Sequence, residues 1–227
     1  MADLPLLLLC GIGGDADSWR DQQSTLAVGR ECRTIVAAGG SIAAMADTVL
    51  ADAPPRFALS GHSLGGYVAL AMARAAPERI ERLALVNSSA RPDTAEQSEG
   101  RRKLLLLAER DGYDGVAERL THVVSAGDPM LRERYLAMLL RTGHARFVRD
   151  QSAAMTRPDA RPGLDAIACP TLVIGSAADP IVAPEASEEM AARIASARLV
   201  MIESASHAAP MAAPIAVTAS LRDWLDA

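Results

Sequence analysis

Serine 63 stands in Gly61-His62-Ser63-Leu64-Gly65, fenced by glycines two residues before and two after. It follows the apolar, strand-like Phe57–Ser60 and precedes Gly66–Ala76, whose apolar residues recur at helical spacing. A G-x-S-x-G match in that context is the signature of a nucleophile held on a sharp strand-to-helix turn. The glycines leave room where the turn crowds its own backbone, and the hydroxyl is pushed into the open. The same turn places the Leu64 amide at the start of a helix, where unpaired N–H groups favour a negative oxygen. A serine hydroxyl attacks well only when a base takes its proton and a carboxylate orients that base. The alternative reading of Ser63 is a capping serine in a helix-opening loop.

Four histidines are available. His62 adjoins the serine and is expected to point away at such a turn, and His122 and His144 fall in a helical stretch. His207 lies in Glu203–Pro210, between the last strand and the last helix, so it is the expected base. Asp179, in Ser176-Ala177-Ala178-Asp179-Pro180 after the strand-like Thr171–Gly175, is the expected acid. The order Ser, Asp, His fits the same pattern. Asp93, shortly after Leu83–Asn87, competes for that role, and Asp179 could instead be a turn aspartate before proline. The backbone N–H of Ile12, in Cys10-Gly11-Ile12-Gly13-Gly14 beyond the strand-like Leu6–Leu9, is the candidate second donor to an oxyanion. A phosphate-cradling role for these glycines is disfavoured because neither a dinucleotide fingerprint nor a Gly-Lys-Ser/Thr follows.

The elements that must position these groups alternate. Leu6–Leu9, Thr34–Ala37, Phe57–Ser60, Leu83–Asn87, Thr171–Gly175 and Leu199–Ile202 read as short buried strands. Ser41–Ala51, Gly66–Ala76, Glu185–Ile194 and Pro214–Leu225 read as helices between them, which predicts an α/β fold with a mainly parallel sheet of about six strands. From about Pro92 to Leu164 the rhythm changes to helices alone: Lys103–Glu109, Gly115–Val124, Met130–Leu140 and Arg146–Met155. The predicted division is therefore a core of residues 1–91 and 165–227 with a helical insertion at 92–164.

Half of the 227 residues are hydrophobic and the formal charge is −5, with no basic run that would suit nucleic acid. The opening apolar run lacks a preceding basic residue and soon reaches glycine, so neither a signal peptide nor a membrane span is expected. A cytoplasmic protein with no membrane partner follows as the expectation, its assembly left open between monomer and homodimer. Cys10, Cys32 and Cys169 are widely spaced and form no CxxC pair, so they are expected as buried thiols rather than disulfides or a zinc site.

The segments LLLLCGIGG, GHSLGGYVALAMARAAPERIERLALVNS, CPTLVIGSAADPIV and SHAAPMAAPIAVTASLRDWL together resemble the α/β-hydrolase superfamily, of the small bacterial esterase and lactonase type. The resemblance runs nearly end to end. It implies Ser63 as nucleophile, Asp179 as acid, His207 as base, the amides of Ile12 and Leu64 as the oxyanion hole, and the insertion as a cap over the site. It implies no metal or organic cofactor. The implied substrate is a small-molecule ester or lactone of small to medium, mostly apolar character, hydrolysed through an acyl-enzyme. Relatives that keep such a triad as slow ligand receptors, or that cleave C–C bonds, are the alternatives. Three departures stand out. Cys10 replaces the histidine usual before the oxyanion residue, the family's first two strands have no counterpart, and Ala38-Gly39-Gly40 replaces a longer loop. Apolar insertion residues, among them Leu104–Leu107, Val116, Leu120, Leu136 and Met138, are expected to roof the pocket, and the insertion's arginines to face solvent, unless one turns inward to select a carboxylate.

Overall fold

The computed structural model describes residues 4–203 and 205–227. Met1–Asp3, in the opening apolar segment, and Ser204, in the expected histidine loop, lie outside the described residues. Among the described residues six parallel strands form one sheet: β1 (Leu6–Leu9), β2 (Cys32–Ile35), β3 (Phe57–His62), β4 (Ile80–Val86), β5 (Thr171–Ser176) and β6 (Ala197–Ile202), in the order β2-β1-β3-β4-β5-β6. β1 explains why central strands read as unbroken apolar runs. All four leucines are fully buried, Leu7 and Leu9 in the core beneath one sheet face and Leu6 and Leu8 in the core beneath the other. Alternate side chains leave opposite faces of a strand, so a sheet covered on both sides has no polar positions to offer. Each such leucine contributes roughly 1.5–3 kcal/mol by burial.

Between the strands run α1 (Arg20–Leu26), α2 (Ile42–Asp52) and α3 (Leu64–Ala75); after β5 come α7 (Pro184–Arg193), α8 (Ala209–Ala212) and α9 (Pro214–Asp226). The chain passes from β1 to β2 on one side, then returns to place β3 on the other. The sheet order therefore reverses between β1 and β3, whose carboxyl ends meet at Leu9 and Gly61. A crevice at such a switch point is where open α/β sheets place ligands.

The helical insertion joins β4 to β5 and holds α4 (Ala95–Asp111), α5 (Tyr113–Ser125) and α6 (Pro129–Met155). α4 opens with a capping box between Thr94 and Gln97. α6 merges two helices expected separately: Gly143, at φ 77° and ψ 172°, interrupts it. The apolar residues of the insertion pack chiefly on one another. Tyr113, Val116, Leu131, Met138, Leu139 and Phe147 form their own cluster, which Ala208 and Met211 of the core join. The expected roof is thus mostly internal packing, and Leu106 and Met130 face solvent. Among the described residues no helix is long and apolar enough to cross a membrane.

Candidate active site

Ser63 is the residue between β3 and α3, with φ 53° and ψ −116°. A non-glycine residue at positive φ is held there at a cost on the order of 1–3 kcal/mol, which the surrounding structure must impose. Two close approaches impose it. A Cβ on Gly61 would strike the Gly65 carbonyl oxygen, and a Cβ on Gly65 would strike the Leu9 carbonyl oxygen of β1. The first glycine clears the turn itself, as the sequence spacing suggested; the second lets α3 press against the end of β1.

The structure brings Ser63, His207 and Asp179 together. Ser63 Oγ lies 2.9 Å from His207 Nε2, and His207 Nδ1 lies 2.9 and 3.1 Å from the two Asp179 oxygens. An ionised carboxylate only accepts, so Nδ1 carries the imidazole proton and the lone pair of Nε2 faces the serine hydroxyl. All three side chains are nearly enclosed. Burial pushes the Asp179 carboxyl up. The His207 hydrogen bond and charge, with the amides of Val182 and Ile181, outweigh burial and hold it below the ordinary carboxylate value. Those amides donate to Asp179 Oδ1 at 3.0 and 2.8 Å.

Two further side chains complete the arrangement, and neither was assigned a part from the sequence. Asn87 stands just beyond β4 at φ 44°, and its Nδ2 donates to Asp179 Oδ2 and to Ser176 Oγ, both at 2.8 Å. Its signal in the sequence was an asparagine at a strand's carboxyl end, a residue that tolerates positive φ. His62 does not stand idle beside the turn. Its Nε2–H donates to the His207 carbonyl at 2.8 Å, and the two rings lie 5.2 Å apart. Burial, then the neighbouring His207, push the His62 imidazole down to about 4, so it is a neutral donor at physiological pH.

Asp93 does not compete for His207. Its carboxylate, 1% exposed, pairs with Arg157 and lies 2.8 Å from Arg101 Nε. It therefore ties the start of the insertion to its end. The arginines expected on solvated faces are likewise largely committed to the protein: Arg134 binds Asp17 and Asp21, Arg141 binds Asp15, and Arg146 donates to the Gly14 carbonyl. His122 is exposed and His144 stacks obliquely on Tyr113.

Ile12 lies in the loop after β1, and Leu64 opens α3 directly after Ser63. Cys10, in the position of the usual histidine, donates its thiol to the Asp15 carbonyl at 3.3 Å and accepts from Ser18 Oγ at 3.4 Å. Burial pushes that thiol up to about 11, so it is a packing group and not a nucleophile. A small cavity of about 10 Å³ opens beside Ile12, His62, Tyr135, Met138 and Met211. Tyr135 is nearly buried there, and its hydroxyl hydrogen-bonds no described residue. A groove of about 380 Å³ between α3 and residues 157–167 is lined by Tyr67, Leu70 and Leu164; no triad residue lines either this groove or the smaller cavity. Among the described residues no group of three His, Cys, Asp or Glu side chains could hold a metal ion.

The chain is similar over most of its length to known hydrolases. A pimeloyl-acyl-carrier protein methyl ester esterase of Neisseria meningitidis serogroup B / serotype 15 (strain H44/76) is 31% identical over 195 residues, covering 82% of this chain and 75% of its own. "Putative carbamate hydrolase RutD" of Pseudomonas savastanoi pv. phaseolicola (strain 1448A / Race 6) is 29% identical, with 100% and 95% covered. A thermophilic esterase from Thermogutta terrifontis, solved with malate bound, superposes with a TM-score of 0.88 at 30% identity, covering 99% of this chain and 90% of that one. The profile of the alpha/beta hydrolase family matches residues 6–221, and the chain belongs to that family.

Proposed function

We propose that the protein is a serine hydrolase that cleaves a small to medium, mostly apolar carboxylic ester or lactone through an acyl-enzyme. The observation that carries this reading is the continuous path from Ser63 Oγ through His207 to Asp179, with both contacts at 2.9 Å. His207 takes the proton as Ser63 Oγ attacks the carbonyl carbon. The developing oxyanion is met by the amides of Ile12 and Leu64. Collapse expels the alcohol, protonated by His207, and water repeats the sequence on the acyl-enzyme. Asp179 keeps the imidazole in the productive tautomer and stabilises its cation, and Asn87 and the amides of Ile181 and Val182 keep Asp179 in place. The helices of residues 92–164 act as a cap.

The apolar character of the substrate is supported by the pairing of the inward arginines with the protein's own groups. The relatives' names, a methyl ester esterase and a carbamate hydrolase, share attack on a carbonyl carrying a heteroatom leaving group. A chain-length series of neutral p-nitrophenyl esters, run beside lactones, a carbamate and one acid-bearing ester, tests the reading. Highest kcat/KM on short neutral esters or lactones is expected. Preference for the acid-bearing ester would contradict the apolar pocket, and binding of all with turnover of none would favour a ligand receptor.

A further inference from the structure

The loop that carries Ile12 leaves β1 after Cys10, whose N–H still donates to the Ile35 carbonyl of β2 at 3.0 Å. Beyond that point helix α6 holds it. Gly13 N–H donates to Asp150 Oδ2 at 3.1 Å, across 137 residues of sequence, and Thr142 Oγ1–H is shared between the Gly13 carbonyl at 3.0 Å and the Leu139 carbonyl of its own helix at 2.9 Å. Gly13 sits at φ 63°, and a Cβ there would meet Leu139 of the same helix at 2.6 Å. Both peptide planes flanking Gly13 are thus fixed from the insertion. The plane on its amino side holds the Ile12 carbonyl, so fixing it limits rotation at Ile12, while the plane that carries the Ile12 N–H is pinned by Gly14 N–H donating to the Gly11 carbonyl at 3.0 Å.

Asp150 is 1% exposed, a place where an ionised carboxylate is costly unless it is paired and hydrogen-bonded. Arg149 Nη2 at 2.8 Å and Arg146 Nε at 3.3 Å supply the charge. Arg146 also reaches the Gly14 carbonyl, the next residue of the loop.

Resting on the hydrolase reading, we propose that Asp150 is a positioning residue of the oxyanion loop: through Gly13 it holds, from the insertion, the turn that aims the Ile12 amide at the developing oxyanion. Its side chain touches no reacting atom. The loop support and the insertion are consequently one structure, and the insertion cannot swing away while the Ile12 donor stays aimed.

The test compares Asp150→Ala, Asp150→Asn and Thr142→Val with the wild type by kcat and KM on p-nitrophenyl acetate, by the rate at which a p-nitrophenyl phosphonate labels Ser63, and by melting temperature. An oxyanion donor typically carries about 10²–10³ in kcat, so a mis-aimed one in folded Asp150→Ala should lower kcat and phosphonate labelling by about 10–100-fold with KM within about threefold. Asp150→Asn keeps an oxygen to accept from Gly13 N–H and should recover kcat to within about fivefold of wild type, although it loses the charge. If Asp150→Ala does not fold, Thr142→Val decides, with about a fivefold loss of kcat at unchanged KM expected. A folded Asp150→Ala with kcat within twofold of wild type, an Asp150→Asn as slow as Asp150→Ala, or an unaltered Thr142→Val in the non-folding case would overturn the inference alone. A wild type inert to both the ester and the phosphonate would overturn the hydrolase reading and this inference with it.

Discussion

At the scale of single residues, the candidate site is a set of groups that each have one acceptable state. Asp179 accepts from His207, Asn87 and two amides, so it has neither room nor reason to become protonated near neutral pH. Asp179→Asn should leave the fold intact and lower kcat by about 10³–10⁴, because an amide that donates to the imidazole stabilises the wrong tautomer; steady-state kinetics with a melting curve separates this from unfolding. Tyr135 lines the small cavity beside Ile12, and its hydroxyl hydrogen-bonds no described residue. Tyr135→Phe is expected to raise KM about 5–10-fold with kcat within about twofold, the pattern of a lost substrate hydrogen bond. His62 makes a stability statement. Its ordinary value is 6.5 and its folded value about 4, so between those pH values the unfolded chain binds more protons and stability rises with pH. Unfolding free energy from denaturant titrations should therefore fall by on the order of 3 kcal/mol as pH drops from 6.5 to 4. In His62→Gln that slope should largely disappear.

At the scale of elements, what could be read from the sequence followed from local pattern. β1 was legible because a strand buried on both faces has to be four leucines or something like them, and Ser63 because its turn has to be cleared by Gly61. α1 was not read. Its segment RDQQSTL buries only Gln22 and Leu26, too few positions to show a helical period. α6 reads as two helices in the sequence because Gly143 breaks the period where the chain kinks. The arginines of the insertion, expected on solvated faces, largely pair with the protein's own groups instead. Whether a guanidinium meets solvent or a carboxylate more than a hundred residues away depends on how α6 lies over the loop after β1, and no spacing in the sequence encodes that. Asp93 shows the same limit: a plausible acid by position, it is a buried tie to Arg101 and Arg157. Asp93→Asn should cost about 3–5 kcal/mol of stability by leaving two guanidinium groups without their counter-charge. Per folded molecule, activity should be within about threefold of wild type, which calorimetry and kinetics on one preparation would check.

At the scale of the whole molecule, the sheet order does the assembling. The reversal between β1 and β3 sets the Ile12 loop beside the Ser63 turn. The adjacency of β4 and β5 brings Asn87 to Asp179, and the loop after β6 carries His207 back to both. The insertion leaves the sheet between β4 and β5 and returns without disturbing their pairing at Val86 and Ile174. The architecture was legible as alternation of strands and helices, since one chain order satisfies both the βαβ rhythm and the Ser, Asp, His sequence. The central claim is that Ser63 is the nucleophile of an acyl-enzyme hydrolase, and kcat/KM of Ser63→Ala on the best ester of the series tests it most directly. A fall of at least about 10⁴-fold in a protein with an unchanged melting curve is predicted; turnover equal to wild type would contradict it.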